Sequence, residues 1–271
     1  MTLKEIKESL RNGGKAVKEC MEFKKTTFKT ADAINTTELK TGSVNKALHT
    51  SKENDTEDVL KRTIIGNTYN WMDSHGDVHL DNTFKNSIKQ RGAAGKIWHL
   101  HDHEQKMTSK IGVPTKVYEQ EVNWTDLGVD KQGTTTALMM DTNVMKAYNG
   151  LMFQEYKDGN VDQHSVGMYY VKIDLAVNDE EFKEEFAVWQ ANIDKIGNAE
   201  KAEQEGFFWA VKEAKLIEIS AVLEGSNELT PTVEAKDNQP SNDIDSDPSL
   251  DSQEVLTEKA RKEVLLKLIT H

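Results

Sequence analysis

The sequence predicts an α+β protein, mainly β with flanking helices and flexible tails. Three observations carry this. Most apolar residues fall in short runs rich in β-branched and aromatic side chains, around residues 64–69, 134–140, 169–173 and 214–223, bounded by Gly, Asn or Asp. Helical spacing is clear in only a few places, best in Phe182, Phe186, Trp189, Ile193 and Ile196. Past residue 229 the texture changes: Pro231, Pro240 and Pro248 stand among Asp, Ser and Asn, as in a disordered linker.

In chain order, Thr2 and Glu5 form a capping box for a short helix with Leu3, Ile6 and Leu10 on one face, ended by Gly13-Gly14. Residues 21–34 alternate loosely and read as a first strand. Residues 35–58 are polar and read as an insertion. A strand at residues 64–69 is followed by a turn, Asp73-Ser74-His75-Gly76-Asp77, and a short helix from Phe84 and Ile88 that Gly92 stops. Residues 96–101 form a strand, and a hairpin-rich region leads through Tyr118 and Trp124 to the turn Asp130-Lys131-Gln132-Gly133. After the strand at 134–140, Asp141 or Thr142 caps a helix with Val144, Met145, Tyr148, Leu151 and Met152 on one side. Asp158-Gly159-Asn160 turns the chain into the strand that carries Ser165. Asn178 and Glu181 open the aromatic helix, which Gly197 closes. Strands at 207–211 and 214–223 follow. Leu256, Ala260, Val264, Leu265 and Leu268 then mark a C-terminal amphipathic helix. The expected organisation is an N-terminal helical extension at 1–20, a main domain at 21–230, a disordered linker at 231–250 and the terminal helix at 251–271.

At 271 residues the chain is long enough to bury a sizeable core, although only 37% of it is hydrophobic. A formal net charge of -12 argues against nucleic acid or an anionic membrane as partner, because both would repel it. One cysteine, Cys20, rules out an intrachain disulfide and a cysteine-based metal site. No apolar run approaches a membrane span, and Met1-Thr2-Leu3-Lys4-Glu5 lacks the pattern of a secretion signal. A cytoplasmic location is expected.

Chemistry concentrates in three segments. Ser165 enters a β-branched and aromatic strand with Gly167 two residues on, which allows close approach to a backbone. Strand alternation places His164 on the other face, so a base for Ser165 must come from elsewhere. Trp98-His99-Leu100-His101-Asp102-His103 supplies imidazoles, and an extended chain would place all three on one face. This stretch resembles the His-x-His-x-Asp-His motif of metallo-β-lactamase-fold hydrolases, implying zinc held by His99, His101 and His103. It lacks one residue before the aspartate, and no convincing downstream ligands accompany it. Glu218 lies between Ile217 and Ile219, where a carboxylate needs a partner: a lysine or arginine on a neighbouring strand, or an imidazole that it orients.

Taken in order, Asp73-x-x-Gly76-Asp77, His101-Asp102 after an apolar strand, Ile111-Gly112, Ser165-Val166-Gly167-Met168, Glu218-Ile219-Ser220-Ala221-Val222 and Ser226-Asn227 resemble the prohead proteases of tailed phages. The resemblance spans about residues 61–229. It implies a small β-barrel similar to herpesvirus assemblin, and a serine endopeptidase that cleaves the phage major capsid protein, the scaffold and itself inside the immature capsid in the host cytoplasm. It implies Ser165 as nucleophile, His101 as general base and Glu218 as third member, with Asp102 as second choice. No cofactor is expected, and a homodimer is left open. The chain departs from the family at Leu80-Asp81-Asn82-Thr83-Phe84, at Glu224-Gly225-Ser226-Asn227 and at Met168, all turn or packing positions. Two other readings stand beside it: a non-catalytic, protease-like assembly protein, and the zinc hydrolase.

Overall fold

The computed structural model describes residues 1–29 and 55–233. Most of the polar insertion and of the expected linker, and the whole of the expected terminal helix, lie outside the described residues. The fold is mixed α and β, built on one large sheet with helices against it.

Helix α1 (Leu3–Arg11) has the expected capping box, in which Thr2 and Glu5 satisfy each other's backbone N–H. It buries Ile6 completely. The strand expected from residue 21 is instead helix α2 (Lys15–Thr26), because Val17, Cys20 and Met21 follow helical spacing onto the same core. Both helices are therefore packed parts of the domain.

The strands are β1 (Val59–Thr68), β2 (Asp77–His79), β3 (Trp98–His101), β4 (Lys110–Asn123), β5 (Thr134–Met145), β6 (His164–Val177), β7 (Phe207–Ala221) and β8 (Thr232–Val233). Their order is β2-β7-β3-β4-β5-β1-β8, with β6 along the other side of β7. Among the described residues four α-helices follow α2: α3 (Lys85–Ser87), α4 (Gly150–Asp158), α5 (Lys183–Asn192) and α6 (Ala199–Glu205). The helix expected to start at Asp141 is still strand, because β5 pairs with β1 and β4 as far as Val144 and Met145; α4 begins only after Asn149, which caps Met152. The two strands expected at 207–223 are one continuous β7, opposed over its whole length by β6. Helix α6 has no apolar stripe and escapes sequence reading.

The sheet is open, which corrects the expectation of a β-barrel. It curls until Ile219 on β7 touches Gly66 on β1, where a Cβ would lie 2.5 Å from Ile219 Cδ1. The ladder does not close because residues 230–233 enter the seam. Thr232 and Val233 pair with β1, while Thr230 reaches β6 only by side-chain bonds around His164.

Candidate active site

β7 lies between β3 and β6, so register alone distributes the candidate residues between two faces. Ser165 is opposite Ser220, and Gly167 is opposite Glu218, placing these four on one face. His99 pairs with Ile219, His101 with Ala221, and His164 with Ala221, placing the three histidines on the other. His101 therefore does not meet Glu218 or Ser165, which corrects the expected pairing. Its Nδ1 lies 3.2 Å from Asp102 Oδ2 at the sheet rim.

The imidazole that reaches Glu218 is His103. β3 ends at His101, and the next two residues take left-handed conformations, with φ 51° at Asp102 and 55° at His103. Such angles are unfavourable for residues with a Cβ, and they break strand alternation. The turn brings His103 over the Ser165 face. Its Nδ1–H donates to Glu218 Oε1 at 2.6 Å, and its backbone N–H donates to Ser220 Oγ at 3.1 Å. Ser220 Oγ in turn donates to Glu218 Oε2 at 2.6 Å.

Both oxygens of this fully buried carboxylate are thus satisfied without lysine or arginine among the described residues. In a neutral imidazole a carboxylate at Nδ1 fixes the proton there and makes Nε2 the acceptor. His103 Nε2 is buried and has no hydrogen-bond partner among the described residues. Ser165, 4% exposed, stands directly across the ladder from Ser220, where Cβ atoms are about 4.5–5.5 Å apart.

Gly167 is required here. A Cβ at this position would collide with the Glu218 carboxylate and come within 2.6 Å of the Phe28 ring. Next to it the pairing shifts register, so that Ile217 is an extra residue on β7. Such bulges re-aim side chains, and this one falls beside Glu218.

Two histidines of the opposite face, His99 and His164, serve the core. His99 Nε2 and His164 Nε2 both meet the Tyr156 hydroxyl, at 3.0 and 2.9 Å, while His99 Nδ1 meets Thr142 Oγ1 and His164 Nδ1 donates to Thr230 O. Burial holds His99 well below the usual imidazole range, helped by His164, and pushes His164 down to about 4. His99, His101 and His103 do not converge, and among the described residues no group of three metal-ligating side chains does.

Asp73 and Asp77, read from the sequence as turn residues and as part of the resemblance, form a buried ionic cluster. Lys29 Nζ donates to Asp73 Oδ2 at 2.5 Å and Asp77 Oδ2 at 2.7 Å, Lys24 Nζ donates to Asp77 Oδ1 at 2.7 Å, and the Tyr170 hydroxyl donates to Asp77. Despite its burial, Asp77 is held below the carboxylate range by the two lysines.

No family model, curated protein or solved structure matches this chain. The site must therefore be read from its own geometry. In the sequence His103 was one of three imidazoles read as a metal site or as one catalytic base with spectators, with His101 the preferred base, and Ser220 had no role. The one signal for either was the missing residue in the histidine motif, which marks a break in strand parity.

Proposed function

We propose that the chain is a serine endopeptidase with Ser165 as nucleophile, His103 as general base and Glu218 as the orienting acid. The observation that carries this is the His103–Glu218 pair: a carboxylate 2.6 Å from Nδ1, with Nε2 buried and unpartnered on the face of Ser165. In the reaction, His103 Nε2 takes the Ser165 proton as Oγ attacks a peptide carbonyl, then delivers it to the leaving amine. Water repeats the sequence on the ester and frees the enzyme. Glu218 stabilises the imidazolium, and Ser220 holds the second carboxylate oxygen. The prohead-protease resemblance suggests coat and scaffold proteins as substrates, with cleavage inside the immature phage capsid.

A serine-directed fluorophosphonate probe tests the chemistry, read by intact mass. Wild type is expected to gain one adduct on Ser165, and Ser165→Ala and His103→Ala none. His101→Ala is expected to label at close to the wild-type rate; loss of labelling there with retention in His103→Ala would reverse the assignment. Co-expression with coat or scaffold protein then asks whether wild type, and not Ser165→Ala, cleaves the partner.

A further inference from the structure

The edge of β6 beside the Ser165 centre is occupied by the chain's own residues. Lys29 pairs antiparallel with Met168: Lys29 N–H donates to Met168 O at 2.9 Å, and Met168 N–H donates to Lys29 O at 3.3 Å. Successive side chains alternate, as in a strand. Phe28 turns to the Ser165 face, against Gly167, with its ring 5.2 Å from that of Tyr169. Lys29 turns to the opposite face and is buried between Asp73 and Asp77.

Paired backbone bonds to an edge strand, with alternate side chains read by separate pockets, are how a sheet binds an extended peptide. The lysine pocket also has a charge requirement. Lys24 bonds only Asp77 Oδ1, and Asp73 Oδ1 accepts from the backbone N–H groups of His75 and Asp77, so among the described residues Asp73 Oδ2 is left to a cation arriving along the β6 edge. An unpaired buried carboxylate is costly, so the pocket discriminates strongly against neutral side chains.

Building on the endopeptidase reading, we propose that the β6 edge is the substrate track. It takes an extended peptide carrying an aromatic–basic pair, Asp73 and Asp77 select the basic side chain, and Thr27–Lys29 hold the track in cis until a substrate displaces them. The register fixes the reach. With its basic residue opposite Met168, such a peptide brings the residue three positions further on opposite Ser165.

The test is binding of a fluorescein-labelled peptide with the sequence of residues 25–35, followed by anisotropy. It is carried out on the full chain with Ser165→Ala, so that no cleavage is needed. Adding Phe28→Ala and Lys29→Ala is expected to tighten binding at least about tenfold, because the occupying segment no longer reduces the free fraction. Replacing the lysine at the Lys29 position of the peptide by norleucine is expected to remove that gain. Equal affinity for the two peptides, or no gain from vacating the edge, would overturn the proposal. If the doubly vacated chain loses its near-UV circular dichroism, Phe28→Ala alone keeps the ionic anchor and is read in the same way, with at least about threefold tightening expected and no change overturning it. Cleavage of the same peptide by the chain with Ser165 intact separates the two readings. Lysine-dependent binding without cleavage would count against the catalysis and leave the track standing.

Discussion

Glu218 shows how much one buried carboxylate organises. It is inaccessible to water, accepts from His103 and Ser220, and touches Gly167 across the ladder. Glu218→Gln keeps the shape and an acceptor for His103 Nδ1–H but removes the charge that stabilises an imidazolium. The expected result is a loss of stability of only about 1 kcal/mol, because the hydrogen bonds are largely retained. Probe labelling of Ser165 is expected to fall by a factor on the order of 10³–10⁴, as when a triad carboxylate is neutralised. A loss of labelling matched by an equal loss of folded protein would assign Glu218 to the core alone. At this scale Ser165 and Glu218 were legible as polar residues inside apolar strands. His103 was not, because its use depends on two left-handed residues that no local pattern announces.

At the scale of elements, the candidate site is a product of β3, β6 and β7 lying side by side. The two long strands β6 and β7 set the shared face, while β3 contributes the turn that lifts His103 across it. Gly167 is where the strands come too close for a side chain. Gly167→Ala is expected to push the Glu218 carboxylate or the Phe28 ring aside, costing roughly 1–3 kcal/mol by overpacking. A chain of this size would then melt several degrees lower, at about 2–4 °C per kcal/mol. An unchanged melting temperature would mean that the strands separate freely here. The strands around residues 64–69, 96–101 and 164–173 were legible from β-branched and aromatic runs. The full length of the β4–β5 ladder was not, because beyond the strand read at 134–140 Asp141 or Thr142 reads as a helix cap until β1 and β4 are known to flank them.

For the whole molecule, the buried histidines govern stability in mild acid. Burial pushes His79 and His164 to about 4 and His99 well down. Their folded values lie below the unfolded value of about 6.5, so the unfolded chain takes up protons first. Stability is full above about pH 6.5 and falls as the pH drops towards 4. The loss at the lower end is on the order of 3 kcal/mol for each of His79 and His164, a large part of a typical domain's total. Asp77 acts only below this window, since its own depression is felt below the ordinary carboxylate value. Urea midpoints at pH 7.5 and pH 5 should differ markedly. His79, whose ring nitrogens are both buried without partners beside Phe84, offers the control. His79→Leu is expected to be no less stable at pH 7.5 and less sensitive to acid; an unchanged pH dependence would place the titration elsewhere.

The sequence by itself determined the mixed α and β class, the capping box at Thr2 and Glu5, the burial of Phe182, Trp189 and Ile196, and the two polar residues inside apolar strands, Ser165 and Glu218, of the candidate site. These follow from periodicity and from the cost of leaving a polar group unpaired, both local properties. Only the tertiary structure decided which histidine meets Glu218, that the sheet stays open, and that Phe28 and Lys29 lie along the β6 edge. Those outcomes depend on register between strands far apart in the chain, where a shift of one residue exchanges the two faces of a sheet.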